Sequence, residues 1–311
     1  MHFDLDGVAR SWSEDGYAIL PAYLSEAELA PAVAEIPILY PTADEYHDRV
    51  DPGRNQRFED EFGGIDDFPF VSNALSLLAL HPRLIDLAER LLGTDDLRVY
   101  SIEAWAKFTG AADYDQELHR DYLGASLLVP SVDPRFGQVE MFLYLVDVPA
   151  ELGPPAFVPL RHTADLPMIP NWFPREEDGR RDPDRPTWIS PTARPDLYEH
   201  EVGAAGPAGT VTAYSNRTFH RGTQLRSPRG ARYTLHVNFR TAASEWQSRH
   251  SWLRHVRTPG WEAFVVHASP RQLALVGWPP PGHDFWTAET LDGVQQRYPG
   301  LDLAPWRIAS R

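Results

Sequence analysis

One segment late in the chain constrains the fold more than any other. From Arg232 to Arg240 the sequence alternates strictly between polar and apolar residues, which predicts a β-strand with two unlike faces. The apolar face consists of Tyr233, Leu235, Val237 and Phe239, and the polar face of Arg232, Thr234, His236, Asn238 and Arg240. A polar face that points into a barrel needs a polar occupant, so this strand already predicts a polar ligand inside the fold.

Three earlier segments also have strand patterns. Arg98–Phe108 alternates, and Gly209–Ser215 is a shorter segment of the same kind. Val139–Val148 is almost continuously apolar, as expected for a strand buried on both faces. Strands separated by turns and long loops predict a sandwich or barrel of the jelly-roll type. The predicted fold class is therefore mainly β with flanking helices (α+β).

Helical signals dominate before the first of these strands. Ser25 is a good N-cap, and Glu28 is placed to complete a capping box. A second helix is predicted from about Leu75 to Leu92, with Gly93 as its C-cap. Between these helices, Asp44–Phe70 is polar and contains Gly and Pro. We interpret it as a long loop that borders a functional site.

The rest of the chain predicts one domain, residues 1–311, with a core at about 97–240, a helical layer at 1–96 and an extension at 241–311. Leu166–Gly206 is rich in Pro, Arg and Asp and is predicted to cover the site. In the extension, Ser269-Pro270 is a strong helix start. The extension also carries six Trp, which predict either packing over the barrel or a dimer contact, so monomer and homodimer both stay open.

Composition excludes several classes of function. The chain has no Cys, which rules out disulfides, thiolate nucleophiles and Cys-based zinc sites, so any metal must be bound by His and carboxylate. A formal net charge of −15 argues against binding to nucleic acid. No signal peptide and no apolar run long enough for a membrane span are visible. A cytoplasmic location and a small-molecule substrate are therefore expected.

A His-x-Asp motif offers two metal ligands at once, because side chains two apart on a strand point to the same side. Random placement of the 12 His and 44 acidic residues would give roughly 1.7 such pairs. The chain has two, His2/Asp4 and His119/Asp121. The first precedes any predicted sheet, whereas the second follows a strand and a polar loop. Context therefore favours His119 and Asp121.

A third ligand should lie far along the chain on a neighbouring strand, and His220 follows the predicted strand Gly209–Ser215. Two His and one carboxylate bind one face of iron and leave the other face open. An Arg on the polar strand face, such as Arg232, suits a carboxylate bound by a bidentate fork. The distal carboxylate of 2-oxoglutarate would fit.

The other His residues have plainer interpretations, because most His residues in proteins are at the surface or hydrogen-bonded in structural roles. His236 and Asn238 are interpreted equally as substrate contacts or as members of a satisfied polar network. Arg226 and Arg229 are predicted to be solvated loop charges. The His residues assigned to surface, structural or loop positions are His47, His81, His162, His200, His250, His255, His267 and His283.

Taken in order, these residues resemble the phytanoyl-CoA dioxygenase family from about residue 10 to 240. The matching segments are EDGYAILPAYLSEAEL, HPRLIDLAERLLG, HRD at 119–121, YLVDVPAELGPPAFVPLRHT, FHRGT and RGARYTLHVNFR. Where the family usually has Asn-Gly, this chain has Leu152-Gly153. The order and spacing of the motifs carry the resemblance more than any one of them.

The resemblance implies a double-stranded β-helix core of the jelly-roll, cupin-like type. It implies Fe(II) bound by His119, Asp121 and His220, with 2-oxoglutarate and O2 as cosubstrates. Arg232 would bind 2-oxoglutarate, with Thr223 as a second candidate. The implied reaction oxidises an unactivated C–H bond and releases succinate and CO2. Because related halogenases lack the carboxylate that Asp121 supplies, the resemblance favours hydroxylation or another oxidative outcome over halogenation.

Two other functions stay open at this stage. A non-catalytic, cupin-like binding protein would keep the fold, but it would need neither Asp121 nor Arg232. A metal hydrolase could use the same ligands, but it would need a general base near the metal and would have no use for Arg232. The aromatic residues of the two predicted loops, 44–70 and 166–206, favour a mainly apolar substrate with a few polar groups.

Overall fold

A computed structural model describes residues 3–60, 62–111, 114–121, 126–128, 131–164, 166 and 188–309. Its strands form two antiparallel sheets, a six-stranded sheet in the order β1-β7-β4-β9-β3-β2 and a three-stranded sheet in the order β6-β5-β8. The strands are β1 Tyr17–Leu20, β2 Ile65–Asp67, β3 Leu97–Phe108, β4 Gln138–Tyr144, β5 Pro155–Phe157, β6 Val202–Gly203, β7 Val211–Tyr214, β8 His220–Gly222 and β9 Ala231–Thr241. The prediction of a mainly β, jelly-roll core with flanking helices is confirmed.

The alternating segment forms β9, which lies between β3 and β4 in the large sheet. Its apolar face is buried in the main hydrophobic core, where Leu235 and Phe239 are fully covered. Its polar face turns toward the small sheet. The strand is long because both of its neighbours continue its hydrogen-bond ladder, with Arg232 opposite Lys107 on β3 and His236 opposite Phe142 on β4.

Helices pack outside the large sheet at both ends of the chain. The amino-terminal helices are α1 Leu5–Asp15, α2 Glu26–Val33, α3 Ile36–Leu39, α4 Ala43–His47, α5 Pro52–Asn55, α6 Asn73–Ala79 and α7 Pro82–Leu92. Later helices span Pro195–Glu199, Pro259–His267, Pro270–Leu275, Ala288–Arg297 and Ala304–Ala309. The 3₁₀ turns are Gln56–Glu59, Pro134–Phe136, Ala150–Leu152, Leu160–His162 and Trp252–Arg254. Among the described residues, no helix combines the length and apolarity needed to cross a bilayer.

Two of the predicted helix starts are confirmed. Ser25 and Glu28 form a complete capping box at the start of α2, with the Ser25 hydroxyl accepting from the Glu28 amide. Ser269 and Gln272 do the same for the helix that begins at Pro270. Gly93 ends α7 in the left-handed conformation, with φ of 69°. These helix boundaries therefore lie where the capping residues predict them, and tertiary contacts do not shift them.

Three predictions about elements were wrong. The single helix over Leu75–Leu92 is two helices, because Pro82 begins α7 and holds His81 in an extended conformation that ends the preceding helix. The predicted loop Asp44–Phe70 contains most of α4, all of α5, a 3₁₀ turn and β2, which pairs with β3. The strand predicted over Val139–Val148 ends at Tyr144, beyond which Val148 makes an isolated bridge.

The Trp-rich extension packs on the core. Trp261, Trp286 and Trp306 are at most 4% exposed and belong to the same hydrophobic cluster as the large sheet. Together with the start of β3, the extension borders a second cavity of about 610 Å³, and aromatic side chains such as Trp252, Trp278 and Tyr298 form part of its walls. Of the two positions predicted for this extension, the structure thus shows packing over the barrel.

Candidate metal centre

The backbone brings the two candidate His ligands face to face. His119 and His220 form an isolated antiparallel bridge, in which each amide donates to the carbonyl of the other at 2.9 and 3.0 Å. In such a pair both side chains point to the same side of the ladder. The imidazole centroids lie 4.6 Å apart. Two residues that are 101 positions apart in the chain (220 − 119) therefore become neighbours through one pair of hydrogen bonds.

Asp121 completes the group. It lies two residues after His119, and its Oδ1 is 3.3 Å from His119 Nε2, while its Oδ2 is 3.2 Å from His220 Nε2. One ligand atom from each of the three residues lies within 4.8 Å of the others. Two imidazole nitrogens and one carboxylate oxygen on one side are the donor set for Fe(II) that leaves open coordination positions for a cosubstrate. The residues present therefore fit an iron ion.

Backbone carbonyls set the tautomers that such a site needs. His119 Nδ1 donates to the Glu117 carbonyl at 2.8 Å, and His220 Nδ1 lies 3.4 Å from the Thr218 carbonyl. With the proton on Nδ1, the lone pair on Nε2 is free for a metal. Aromatic rings fix the imidazole planes, since Trp188 stacks on His119 with centroids 4.5 Å apart. Both rings are preorganised before any metal binds.

The charge of Asp121 is held by its surroundings. Burial would raise its pKa, but the electrostatic effect of His220 and the contacts with Nε2 of both His residues hold the pKa well below its usual range. Asp121 Oδ2 also lies 3.1 Å from the Tyr214 hydroxyl. The carboxylate is therefore ionised and oriented, as a metal ligand must be.

A second carboxyl, Glu140, lies behind Asp121. Its oxygens lie 2.9 Å from the hydroxyls of Tyr214 and Tyr100. Burial and the negative charge of Asp121 raise the pKa of Glu140 well above its usual value. The Tyr214 hydroxyl lies within hydrogen-bond distance of both carboxyl groups and so links Glu140 to Asp121.

The candidate ligands border a cavity of about 290 Å³ between the two sheets. Arg232, Thr234, His236 and Asn238 from the polar face of β9 line it, as predicted, whereas Arg240 lines the second cavity. We call the part beside Lys107 and Arg232 the Arg232 end, and the part beside Asn238 and Arg249 the Arg249 end. On β9, Arg232 and Asn238 are six residues apart, about 20 Å along the strand.

The cavity is basic although the protein is acidic. Four basic side chains line it, against two carboxyl groups. They are Lys107, Arg120, Arg232 and Arg249, against Asp121 and Glu140. Arg232 is 8% exposed and lies opposite Lys107 in the strand register, which suits the distal carboxylate of 2-oxoglutarate. The local field therefore favours anions in a chain whose net charge is −15.

Other predicted site residues lie elsewhere. Thr223 is absent from the described residues that line the cavity, and its hydroxyl donates to the Pro154 carbonyl at 2.7 Å. Of the aromatics in the two predicted loops, Phe62 and Trp188 reach the cavity. Tyr46, Phe58, Phe68 and Phe70 pack in the core instead, and Trp172 and Phe173 lie outside the described residues.

The sequence left His236 open as a substrate contact or as a member of a polar network, and the structure shows both contact with the cavity and packing against neighbouring rings. It lines the cavity, and its ring stacks on Trp105 with centroids 4.3 Å apart and meets Phe142 edge-on at 3.9 Å. Burial holds its pKa well below the usual value, so the ring is neutral. Asn238 also lines the cavity, and its side-chain oxygen accepts from the Met141 amide at 3.4 Å.

Sequence reasoning missed several cavity residues. Glu140 is an acidic residue inside the apolar run Val139–Val148. A carboxyl group in a buried strand needs a polar partner, so the sequence could have predicted a polar site at this position. Trp105 lies on the alternating strand β3, on the same face as Glu103 and Lys107. Arg249 had no signal, because it lies in an irregular segment whose course depends on tertiary contacts.

A second group of possible ligands lies nearby, formed by Asp67, Glu103 and His250. His250 Nε2 is 3.4 Å from a carboxylate oxygen of each. The Arg249 guanidinium lies 3.2 Å from Glu103 and already supplies a positive charge there. This group is therefore a polar network around the ion pair between Arg249 and Glu103.

Comparison with known proteins agrees with the geometry. The sequence profile of the phytanoyl-CoA dioxygenase family (PhyH) matches residues 12–233, which is more than half of the chain. The chain belongs to the phytanoyl-CoA dioxygenase family. It is a non-haem iron enzyme that uses Fe(II), 2-oxoglutarate and O2, and the predicted family, enzyme class and cofactors are confirmed. No curated protein sequence matches the chain significantly.

Solved structures share this fold. The epimerase SnoN, in complex with Fe3+, alpha ketoglutarate and nogalamycin RO, has a TM-score of 0.54 at 23% identity, covering 80% of this chain and 88% of its own. EvdO2 from Micromonospora carbonacea var. aurantiaca has a TM-score of 0.52 at 19% identity, covering 78% and 92%. AviO1 from Streptomyces viridochromogenes Tue57 has a TM-score of 0.50 at 14% identity, covering 78% and 97%. At these identities the likeness concerns the fold.

Proposed function

We propose that this family member hydroxylates, or otherwise oxidises, an unactivated C–H bond of a small organic or secondary-metabolite substrate, with release of succinate and CO2. The observation that carries the proposal is the joint presence, in one cavity, of the three candidate ligands and Arg232. A non-catalytic binding protein would have no need for this combination. A hydrolase would have no need for Arg232.

Each residue has a distinct task in this proposal. His119, Asp121 and His220 bind iron, which with 2-oxoglutarate supplies the oxidising chemistry for a C–H bond. Arg232 binds the distal carboxylate of the cosubstrate and fixes its direction. Tyr214 donates to Asp121 and keeps that ligand oriented. Aromatic side chains around the centre, among them Trp188, exclude water from it.

The class of substrate is proposed from the walls of the cavity and from proteins of like fold. Trp105, Phe142, Trp188 and Tyr214 present aromatic surface, and His236 and Asn238 present polar groups. SnoN is described as a non-heme alpha ketoglutarate dependent epimerase from nogalamycin biosynthesis. That description supports a role in natural-product tailoring. It also supports outcomes other than hydroxylation, while the carboxylate of Asp121 argues against halogenation.

Anaerobic titration of the purified protein with Fe(II) and 2-oxoglutarate tests the proposed centre. We expect the weak visible charge-transfer band of an iron–cosubstrate complex, and succinate once oxygen is admitted. Asp121→Ala should lose the band or weaken it strongly and should form no product. Asp284→Ala removes an exposed carboxylate and should behave as the wild type. A wild-type protein with neither band nor succinate would exclude the proposed function.

A further inference from the structure

The Arg249 end of the cavity is shaped by an irregularity in β3. The register between β3 and β9 shifts between Val99 and Ser101, so Tyr100 is left out of the ladder. Its carbonyl instead accepts from the amides of Arg249 and His250, both at 3.1 Å. Such bulges redirect a side chain and the chain beside it. This one holds the segment after β9 against the cavity and brings Arg249 to its lining.

Arg249 is held there from one side. Its Nε lies 3.2 Å from Glu103 Oε1, and 39% of the Arg249 side chain is exposed, whereas only 3% of the Glu103 side chain is. A guanidinium has five N–H donors in a planar fork, so a single carboxylate does not saturate it. Donor capacity thus remains on a cationic group that lines the cavity.

Glu103 is built to stay in place as an anion. Trp105 Nε1 donates to its Oε2 at 2.8 Å, and His250 Nε2 lies 3.4 Å from its Oε1. Burial would raise its pKa, but His250 and the charge of Arg249 lower it to about 2. The ion pair therefore fixes the position of the guanidinium without depending on a ligand, which lowers the ordering cost when one binds.

The walls beside Arg249 are flat and aromatic. Trp105 and His236 stack with their planes 10° apart, and Phe142 meets His236 edge-on. Tyr214 and Trp188 complete the lining toward the candidate ligands. Offset stacking against such rings favours a planar, apolar ring system over a flexible chain. The other basic end of the cavity is assigned to 2-oxoglutarate, so Arg249 is left for a different anion.

We propose that Arg249 is a specificity-determining residue that binds the acidic oxygen of a planar aromatic acid, the substrate class of this enzyme. This inference rests on the proposed function, because it takes Arg232 as the site of 2-oxoglutarate. It goes beyond that function in giving the substrate a negative charge and in naming the residue that binds it. Arg249 lies in the carboxyl-terminal segment, beyond the range 12–233 that the family profile matches.

Matched probes test the proposal without knowledge of the natural substrate. We would titrate 2-naphthoate and its neutral analogue 2-naphthamide into the anaerobic protein with Fe(II) and saturating 2-oxoglutarate, following tryptophan fluorescence and the charge-transfer band. The wild type should bind naphthoate more tightly. Arg249→Met should weaken naphthoate binding by roughly 10- to 100-fold and change naphthamide binding by less than about twofold.

Three control variants separate the charge of Arg249 from its contribution to folding. Arg254→Met removes an exposed arginine from the same segment and should leave both affinities unchanged. Glu103→Gln/Arg249→Met leaves no unpaired buried carboxylate, so it should fold and still lose discrimination. Arg249→Lys should keep part of the preference for naphthoate over naphthamide, because Lys retains the positive charge but lacks the planar guanidinium that binds two oxygens at once.

Several outcomes would overturn the proposal. Wild-type protein that binds neither probe, or both equally, excludes it. The proposal is also excluded if Arg249→Met weakens the binding of naphthoate and naphthamide equally. It is likewise excluded if this variant weakens the binding of 2-oxoglutarate as much as the binding of naphthoate. Failure of the proposed function would appear separately, as the absence of the band before any probe is added.

Discussion

The two ends of the cavity both present an arginine, but they hold it in different ways. At the Arg232 end, the arginine is part of a regular strand, opposite a second cation, Lys107. At the Arg249 end, the arginine lies after the strand and pairs with the buried carboxylate of Glu103. Two neighbouring cations attract a fully ionised group such as the distal carboxylate of 2-oxoglutarate. Because the ion pair with Glu103 already fixes the position of the Arg249 guanidinium, this end suits a ligand that has to be bound in one orientation.

The two ends also differ in their relation to the family match. Arg232 lies within the matched range 12–233, and Arg249 lies beyond it. A cosubstrate shared by a whole family calls for a site built on the central strand, since strands position side chains more precisely than loops do. Substrate specificity is usually set by the segments around such a framework. We therefore expect the two arginines to respond differently to the same substitution.

The largest expected effect comes from Arg232→Met. Loss of a bidentate, charge-assisted contact should weaken 2-oxoglutarate binding by about 100-fold or more, while iron binding stays within about twofold. The charge-transfer band, titrated with 2-oxoglutarate under anaerobic conditions, measures the first quantity, and metal stoichiometry measures the second. Arg249→Met is the matched control and should leave 2-oxoglutarate affinity within about twofold. Equal losses in the two variants would erase the distinction between the two ends.

An intermediate effect is expected from Glu103→Gln, which tests whether the ion pair is what distinguishes the Arg249 end. The folded-state pKa of about 2 lies below the ordinary 4.5, so ionised Glu103 stabilises the fold above about pH 5. That contribution disappears as the pH falls from 4.5 toward 2. The difference corresponds to about 3 kcal/mol of unfolding free energy at neutral pH.

Denaturant unfolding at pH 7 and pH 3 measures this contribution. Glu103→Gln should be less stable than the wild type at pH 7, and the gap should narrow at pH 3. Glu14→Gln, at an exposed position, provides the matched control and should show no such gap. A gap that stays constant with pH would mean that packing, and not the charge of Glu103, holds this end together.

The smallest expected effect concerns Thr223, the second residue predicted to bind 2-oxoglutarate. Its hydroxyl donates to the Pro154 carbonyl. We expect Thr223→Val to lower the unfolding free energy by about 1 kcal/mol and to leave 2-oxoglutarate affinity unchanged within about twofold. The same anaerobic titration, with thermal unfolding, measures both. A tenfold loss of 2-oxoglutarate affinity in this variant would mean that Thr223 does take part in binding the cosubstrate.

Much of the framework could be predicted because it depends on short-range rules. The alternation around His236 gave the central strand and its two faces, and the capping residues Ser25 and Ser269 gave helix starts. One failed prediction, the single helix over Leu75–Leu92, broke a short-range rule at Pro82, and others depended on longer-range effects. The segment Asp44–Phe70 has little local strand signal, and β2 forms there because β3 offers an open edge for pairing.

The amino-acid sequence by itself determined the types of the candidate ligands, their order and the strand that carries Arg232. The tertiary structure decided which of these residues meet. The bridge between His119 and His220 joins two distant segments, and no local pattern records such a contact. It also decided the place of Glu140 behind Asp121 and of Arg249 beside Glu103. Periodicity specifies the direction of a side chain within its own strand, whereas the neighbours across a cavity depend on the packing of the whole chain.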